Sequence, residues 1–301
     1  MSVITAKTSP LVSVLMPVFN AERYVAEAIE SILRQSFQDF EFIIIDDGST
    51  DGSLDILKRY AARDPRIRLV SRENRGLVAT LNEGIGLARG QWVARMDADD
   101  VALPERLALQ VKHLEATKAD FCGGAVACFG DWRALWRYPL THEACEVRLL
   151  FEVPFAHPTV MGRREAFDRL RYQPEFVLAQ DYDLWQRAWA AGYRLVNVPE
   201  IVLRYRVHTA QTSSRKSEEQ KDRADAVRIR HWRALLPDLD DGEIDGIVEM
   251  LREGRGYTSR LLPSLVSLLS RYSGRFFCQA ATRCFVGWLP AIELLPAIGL
   301  P

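Results

Sequence analysis

Short apolar runs alternate with helical patterns along the first 130 residues, and this alternation strongly constrains the fold. The runs at residues 11–18 and 40–46 are rich in β-branched and aromatic residues and end in turn residues, which predicts strands. Between them, residues 21–35 place apolar side chains at helical spacing. Continuously apolar strands that alternate with helices form parallel sheets covered on both faces. The sequence therefore predicts an α/β fold whose mostly parallel central sheet is flanked by helices.

The same patterns predict further elements along the chain. Up to residue 118 they predict helices at 54–62, at 77–88 and after Pro104, with strands at 67–71 and 91–96. Beyond residue 120 they predict strands at 120–129, 155–161, 194–198 and 201–207, with helices at 142–151 and 180–191. Past residue 211 the chain is polar, then helical through Trp232, with a break at 237–242 before a short acidic helix.

Charge and cysteine content exclude several classes of protein. The 39 basic and 40 acidic residues give a formal net charge of -1, whereas a general nucleic-acid binder should be visibly basic. The five cysteines form no C-x-x-C pair, which indicates buried thiols in a reducing compartment. The first apolar run predicts a strand rather than a signal peptide, and none of the apolar runs reaches the roughly 18 residues of a membrane span. We therefore expect a cytoplasmic protein that does not bind nucleic acid.

Acidic clusters close two of the predicted strands. Asp46 and Asp47 end one, and Asp97, Asp99 and Asp100 follow another. Each cluster alone is explained by turn chemistry or helix capping. Because ligands of parallel sheets bind at the carboxyl ends of the strands, both clusters should meet at one edge. Carboxylates that repel each other need a cation, and oxygen ligands suit Mg²⁺ or Mn²⁺.

Common nucleotide and hydrolase motifs do not occur in the sequence. The first strand-helix turn has no G-x-G-x-x-G, and the chain has no G-x-x-x-x-G-K-[ST], which disfavours Rossmann dehydrogenases and P-loop NTPases. The sequence contains neither G-x-S-x-G nor H-E-x-x-H, which disfavours α/β-hydrolases and zincin proteases. A nucleotide held by acidic strand ends and a metal ion is the hypothesis that remains.

Several segments together resemble family 2 glycosyltransferases with the GT-A fold. They are VSVLMPVFNAERYVAEAIESILRQSFQDFEFIIIDDGSTDGS, ENRGLVATLNEGIGLARGQWVARMDADD, HPTVMGRREAF, AQDYDLWQRAW and RYRVH. They span about residues 11–210 in the order and spacing of the family. The resemblance implies inverting transfer of a sugar from a nucleoside-diphosphate donor, of UDP or dTDP type, to an acceptor hydroxyl.

The resemblance also implies a donor site. The residues that it places beside the nucleotide are Pro17, Val18, Asn20, Asn74, Gly76 and Asn82. It implies that Asp47 accepts a hydrogen bond from the pyrimidine ring and that Asp97 faces the ribose. Asp99 is implied to bind the divalent cation that bridges the phosphates. A turn or packing role is the equal alternative for Gly76, and Asp100 either orients the site or caps the turn before Pro104.

The best candidate for the general base is Asp181, because an attacking hydroxyl must lose its proton as the new bond forms. On the predicted helix Asp181 shares a face with Leu184, Trp185 and Ala188, which assigns Trp185 to the acceptor cleft. Capping of the helix is the alternative role for Asp181. Asp183 points elsewhere and is expected to cap or to form a surface hydrogen bond. Relatives usually carry Glu where this chain has Gln180.

Two histidines and an arginine complete the implied site. His157 lies at a family position near the cleft, with a structural hydrogen bond as the equal alternative. His208 is implied to complete the metal shell, and Arg206 to meet the diphosphate as a planar fork. The processive signature Q-x-x-R-W is missing, because Gln220-Lys-Asp-Arg223 is followed by alanine, so transfer of a single sugar is expected.

The domain prediction places the GT-A catalytic domain at 1–210, with a nucleotide-sugar half at about 11–118 and an acceptor half at about 119–210, before a helical region at 211–301. Residues 255–301 carry five arginines among apolar residues, which suits either peripheral contact with a membrane or a helical cap on the catalytic domain. The implied acceptor is a saccharide or lipid-linked saccharide of a bacterial envelope polysaccharide or lipopolysaccharide. The alternatives are a nucleotidyltransferase, which usually has a Gly-rich basic loop after the first strand, and an inactive nucleotide-sugar-binding module.

Overall fold

The computed structural model of the chain describes residues 9–208, 217–237 and 239–253. The strands are β1 Val12–Val18, β2 Phe40–Asp47, β3 Ile67–Arg72, β4 Trp92–Arg95, β5 Val101–Ala102, β6 Phe121–Gly130, β7 Ala134–Trp136, β8 Met161–Arg163 and β9 Leu195–Val207. The helices are α1 Val25–Leu33, α2 Ser53–Ala61, α3 Leu77–Leu87, α4 Arg106–Thr117, α5 His142–Leu149, α6 Arg164–Leu170, α7 Gln180–Ala190, α8 Ser217–Leu235 and α9 Asp241–Glu253.

The strands form one sheet in the order β3-β2-β1-β4-β8-β6-β9-β5, and β7 pairs with the outer part of β6. β3, β2, β1 and β4 are parallel to one another, as are β6 and β9. β8 joins these two parallel groups by antiparallel pairing with β4 and β6. The predicted α/β fold is confirmed, and its carboxyl-end edge holds the turns after β1, β2 and β4 side by side.

The core explains why the strands of the first half are continuously apolar. Alternate side chains of β1 and β2 point to opposite faces. On one face, Val14 and Phe42 pack against α1, α2 and α4. On the other face, Leu15 and Ile43 pack against α3, α6 and α7. A third buried cluster joins α5, α8 and α9 around Trp232. Both faces of the sheet are therefore covered, as the sequence predicts.

The structure differs from the predicted elements at three places. The expected strand at 155–161 is a short 3-10 turn, His157–Thr159, followed by β8, because Pro158 has no N–H to give to a strand ladder. The expected strands at 194–198 and 201–207 are one long strand, β9, with register irregularities at Gly124 and Ala125 of its partner β6. The helix expected at 21–35 is shorter, since residues 21–24 form a turn before α1.

The C-terminal tail at 255–301, for which membrane contact is an open expectation, lies outside the described residues. Within the described residues, none of the helices combines the length and the apolarity needed to cross a membrane.

Candidate active site

The loops after β1 and β2 are tied together at the carboxyl-end edge of the sheet. Asn20, at a left-handed φ of 50°, accepts a hydrogen bond from the Thr50 N–H at 2.8 Å through its side-chain oxygen. The backbone N–H of Asn20 donates to the Ser49 hydroxyl at 3.0 Å. Asn20 is exposed and lies two residues after Val18, the last residue of β1, a strand that also contains Pro17. Of these three predicted donor-site residues, Asn20 is exposed and Pro17 partly exposed at this edge, whereas the Val18 side chain packs in the core.

Asp47, at the end of β2, organises the next part of this edge. Its carboxylate accepts the backbone N–H of Arg75 at 2.8 Å and that of Gly76 at 3.0 Å, and it pairs with the Arg72 side chain. Gly76 has a φ of 83°, which glycine adopts without strain. The expected turn role of Gly76 is therefore present. Asp47 holds the turn at 73–76, which includes the exposed Asn74, beside the loop after β2.

The acidic turn after β4 gathers three carboxylates. One oxygen each of Asp97, Asp99 and Asp100 lies within 4.8 Å of the others. Burial raises the pKa of Asp97 and Asp100, and repulsion from their neighbours in the turn adds to the rise. Asp100 accepts the Arg206 N–H at 2.9 Å through Oδ1, while its buried Oδ2 has no hydrogen-bond partner among the described residues. An oxygen without a partner among mutually repelling carboxylates fits a divalent cation.

Asp100 and Arg206 fix the acidic turn to the end of β9. Asp100 does not cap α4, whose N-cap residue is Glu105, so the orienting role that the sequence left open is the one the structure favours. Arg206 donates to the Asp99 carbonyl at 2.8 Å, pairs with Glu27, and lies between the rings of Tyr24 and Phe129. The expectation that its guanidinium meets a diphosphate is not supported by this geometry, because these contacts give it a role in holding the turn.

His208, implied by the family resemblance to be a metal ligand, lies beside Asp99. Its Nε2 is 3.0 Å from Oδ2 of Asp99, and its ring is 5.1 Å from that of Tyr24. β9 pairs with β5, the short strand that directly follows the acidic turn. The structure therefore brings together two residues that are 109 positions apart in the sequence.

Arg95, which sequence reasoning missed, lies at the centre of the site. It is 5% exposed at the end of β4 and donates to Asp97 at 2.5 Å. Its positive charge also lowers the pKa of Asp181 and that of His157, so it acts on both sides of the site. The signal in the sequence is an arginine inside an otherwise apolar strand, two residues before the first aspartate of the turn.

Asp181 lies in the first turn of α7, close to Arg95 and Tyr172. Burial raises the pKa of its carboxyl group, while backbone N–H groups of the helix start and the charge on Arg95 oppose the rise. His157 makes the structural hydrogen bond that the sequence left open, with Nε2 at 2.7 Å from the Tyr172 hydroxyl. Burial lowers the pKa of His157 well below its usual range, which keeps the ring neutral.

Three further sequence-based assignments require correction. Trp185 is fully buried among Phe121, Phe155 and other aromatic rings, so its assignment to the acceptor cleft is wrong. Asp183 is not a surface or capping residue, because it is completely buried and pairs with Arg187 and Arg230. Asn82 does not point to the donor edge, since its amide exchanges hydrogen bonds of 2.8 and 2.9 Å with the backbone of Tyr172.

The chain is similar in sequence to known glycosyltransferases. Residues 13–171, more than half of the chain, match the model of glycosyl transferase family 2. The putative glycosyltransferase EpsE of Bacillus subtilis is 37% identical over 76% of this chain and 85% of its own. An uncharacterized glycosyltransferase of Haemophilus influenzae is 34% identical over 73% of this chain and 72% of its own. The O-antigen biosynthesis glycosyltransferase WbnJ of Escherichia coli is 32% identical over 67% and 82%.

Two solved structures resemble the fold. S. aureus TarS 1-349 in complex with UDP-GlcNAc superposes with a TM-score of 0.62 at 18% identity, covering 86% of this chain and 79% of that one. The mannosyltransferase PcManGT of Pyrobaculum calidifontis, in complex with GDP-Man and Mn²⁺, gives a TM-score of 0.56 at 20% identity, covering 94% and 80%. At these identities the likeness concerns the fold, which is of the GT-A type.

Proposed function

The chain belongs to glycosyl transferase family 2 and is a nucleotide-sugar-dependent glycosyltransferase, and on this premise we propose that it transfers one sugar per turnover, with inversion, to a saccharide hydroxyl. In this proposal the donor half comprises about residues 11–118 and the acceptor half about residues 119–210. The observation that carries the proposal is the position of Arg95, whose buried guanidinium pairs with Asp97 and acts electrostatically on Asp181. Arg95 therefore links the acidic turn to the candidate base.

In the proposed donor site, the nucleoside diphosphate lies on the edge formed by the turns after β1, β2 and β4. Pro17, Val18 and Asn20 flank the nucleotide, with Asn74 and Gly76 opposite them. A carboxylate offers about four acceptor directions, so Asp47 can accept a ring N–H in addition to its present partners. Asp97 faces the ribose. The complexes of TarS with UDP-GlcNAc and of PcManGT with GDP-Man support a nucleotide-sugar ligand, and we expect one of UDP or dTDP type.

We assign the cation, Mg²⁺ or Mn²⁺, to Asp99 and His208, with the unpartnered oxygen of Asp100 beside them. When bound, it neutralises the charge that develops on the leaving diphosphate. Arg206 contributes by fixing the backbone of this turn. The Mn²⁺ in the PcManGT complex supports a divalent cation in a protein of this fold.

Asp181 is the proposed general base, which takes the proton from the acceptor hydroxyl as that oxygen attacks the anomeric carbon. Desolvation raises the pKa of Asp181, which makes its carboxylate a stronger base than a fully exposed one, and the positive charge of Arg95 favours its ionised form. EpsE and WbnJ are described as a putative and an O-antigen biosynthesis glycosyltransferase, so we propose an acceptor from a bacterial envelope polysaccharide, free or lipid-linked. We place the reaction in the cytoplasm or at the inner face of the membrane.

The test separates donor binding from transfer. Thermal stability is measured with UDP-GlcNAc, UDP-glucose, dTDP-rhamnose and GDP-mannose, with and without Mn²⁺, because a ligand of the native state raises the melting temperature. Transfer is measured as release of the nucleoside diphosphate with a panel of envelope oligosaccharides. Asp181→Asn should keep the donor-induced shift and lower transfer about 100- to 10,000-fold. Asp99→Ala should lose the Mn²⁺-dependent part of the shift.

The matched control is Asp55→Asn, which removes an exposed carboxylate from the first turn of α2 and should change neither measurement beyond a few per cent. Transfer by Asp181→Asn at the wild-type rate would show that the base is another group. A wild-type protein that none of the nucleotide sugars stabilises would refute the proposed function as a whole.

A further inference from the structure

A cleft of about 400 Å³ lies on the acceptor half of the molecule, beside the short strand β7. It is lined by Leu135, Trp136, Arg137, Tyr138 and Arg148. Sites for small ligands have volumes of about 300–1,000 Å³. None of these five residues belongs to the acidic turn, the donor edge or α7, so the cleft is separate from the donor site described above.

Aromatic rings continue along the outer sheet from this cleft. Trp136 lies 5.2 Å from Tyr205 of β9 and 5.8 Å from Trp132 of the β6–β7 turn, all as ring-centroid distances. Trp132 is 46% exposed, whereas Trp136 and Tyr205 are half-buried. Pairing of β6 with both β7 and β9 holds Trp136 and Tyr205 at fixed register. The row therefore presents ring faces on a rigid support.

Two links join the cleft to residues of the candidate active site. Tyr138 is close enough to Asp181 for the charge of that carboxylate to raise the pKa of the phenol, although burial is the larger cause. Tyr138 also interacts electrostatically with Cys128, which in turn lies within reach of Asp100. Tyr205 directly precedes Arg206, which fixes the acidic turn. The row of rings that begins at Trp136 in the cleft therefore reaches the end of β9 that holds the acidic turn.

The lining of the cleft combines two kinds of surface. Trp136 and Leu135 are apolar, while Arg137, Arg148 and the Tyr138 hydroxyl are hydrogen-bond donors. A pyranose ring is amphipathic in the same way, with an apolar face of C–H groups and a rim of hydroxyls. An aromatic ring can stack on the apolar C–H face, and the hydrogen-bond donors can bind the hydroxyls at the rim. A bilayer surface would instead require an apolar patch without a concave, donor-lined interior.

We propose that this cleft is the acceptor subsite, in which a pyranose ring of the saccharide acceptor stacks on Trp136 and is hydrogen-bonded by Arg137 and Tyr138. Trp132 extends the subsite to a second sugar ring. The proposal rests on the proposed function, because it identifies the site from which the hydroxyl reaches Asp181. It names the acceptor class as a saccharide of at least one pyranose unit recognised by its ring, whether or not a lipid is attached.

Saturation-transfer NMR on the full chain tests the subsite with defined probes: the methyl glycosides of glucose, galactose, mannose, N-acetylglucosamine and rhamnose. At least one should bind the wild type with a dissociation constant of about 1–10 mM, the range expected for a single ring. Trp136→Leu should weaken that binding about ten-fold, whereas Trp136→Phe, which keeps an aromatic face in the same position, should retain most of it. Both variants remain apolar, and circular dichroism shows whether they fold.

Leu140→Ala is the control, since Leu140 is 48% exposed on the same segment but does not line the cleft. Unchanged glycoside binding in Trp136→Leu, or loss of binding in the Leu140→Ala control, overturns the proposal. So does the finding that Trp132 and Trp136 support binding to phosphatidylglycerol vesicles while no glycoside binds. The donor-induced thermal shift is recorded on the same samples. If the wild type shows the donor-induced shift but binds none of the glycosides, the subsite alone is refuted. If the wild type shows neither the shift nor glycoside binding, the proposed function is refuted.

Discussion

A buried ion-pair cluster joins the helix of the candidate base to the C-terminal helices, and its removal should destabilise the protein measurably. Asp183 of α7 is completely buried and lies 2.8 Å from Arg187 and 2.5 Å from Arg230 of α8. The guanidinium of Arg230 also lies over the ring of Phe176, in the turn that precedes α7. Asp183→Asn keeps the shape of the side chain and removes its charge, so the change tests the electrostatic contribution of this cluster.

The expected loss of stability depends on how deeply the charged partners of Asp183 are buried. Removing one member of a buried ion pair costs about 3–5 kcal/mol when a charge is left buried and unpaired. Here the remaining charges can reach water, since the side chains of Arg230 and Arg187 are 42% and 21% exposed. Arg187 also keeps hydrogen bonds to the carbonyls of Leu170 and Arg171. We therefore expect the lower limit, about 3 kcal/mol, which for a protein of this size lowers the melting temperature by roughly 6 °C.

Differential scanning calorimetry of the variant and the wild type, at one scan rate and in one buffer, measures this shift. Asp241→Asn is the matched control, because its pair with Arg233 is exposed and should contribute less than about 1 kcal/mol. A double-mutant cycle of Asp183→Asn with Arg230→Leu should give a coupling energy of about 1–3 kcal/mol. If Asp183→Asn melts within the uncertainty of Asp241→Asn, the buried cluster does not stabilise the contact between α7 and α8, and the reasoning fails.

The remaining predictions concern pH and one glycine. The transfer rate should fall at acidic pH as Asp181 becomes protonated, and the fall should occur above the usual carboxyl pKa of 3.8, because burial raises the pKa of Asp181. Arg95→Met removes the positive charge that opposes this rise, so in a pH–rate profile the acidic fall in rate should move to higher pH. Gly48 and Gly192 both have positive φ, 73° and 82°, but only at Gly48 would a Cβ lie 2.6 Å from a backbone atom, the Asn74 nitrogen. Gly48→Ala should therefore abolish the donor-induced thermal shift. Gly192→Ala should lower the free energy of unfolding by about 1 kcal/mol and preserve the donor-induced shift. An equal effect of both substitutions on that shift would contradict the proposed donor edge.

The features that sequence predicted well depend on short-range pattern. The strands β1 and β2 follow from runs of apolar residues, and α3 and α7 from their helical periodicity. The acidic turn could be placed at the sheet edge because the ends of parallel strands necessarily lie together. His208 beside Asp99 was reachable only through the resemblance to the family, since nothing local links the two residues.

The features that sequence reasoning missed depend on distant partners. Asp183 is 47 positions from Arg230, so the pattern of α7 alone suggests an exposed carboxylate. Trp185 does share a face of α7 with Asp181, but it lies one helical turn further along, where this face is already packed in the core. The side chain of Asn82 donates a hydrogen bond to the backbone carbonyl of Tyr172, 90 positions away. In each case the residue type permitted both a site role and a packing role, and tertiary contacts decided between them.

The environment of the site has opposite effects on the basicity of Asp181 and of His157. Burial is the first cause of the pKa shift at both His157 and Asp181, and it favours the neutral form of each. A neutral carboxyl is protonated, so burial makes Asp181 a stronger proton acceptor; a neutral imidazole is deprotonated, so burial makes His157 a weaker one. The positive charge of Arg95 lowers the pKa of both groups, which favours the ionised form of Asp181 and makes His157 a still weaker base. The environment therefore favours Asp181 as the base and leaves His157 as the hydrogen-bond partner of Tyr172.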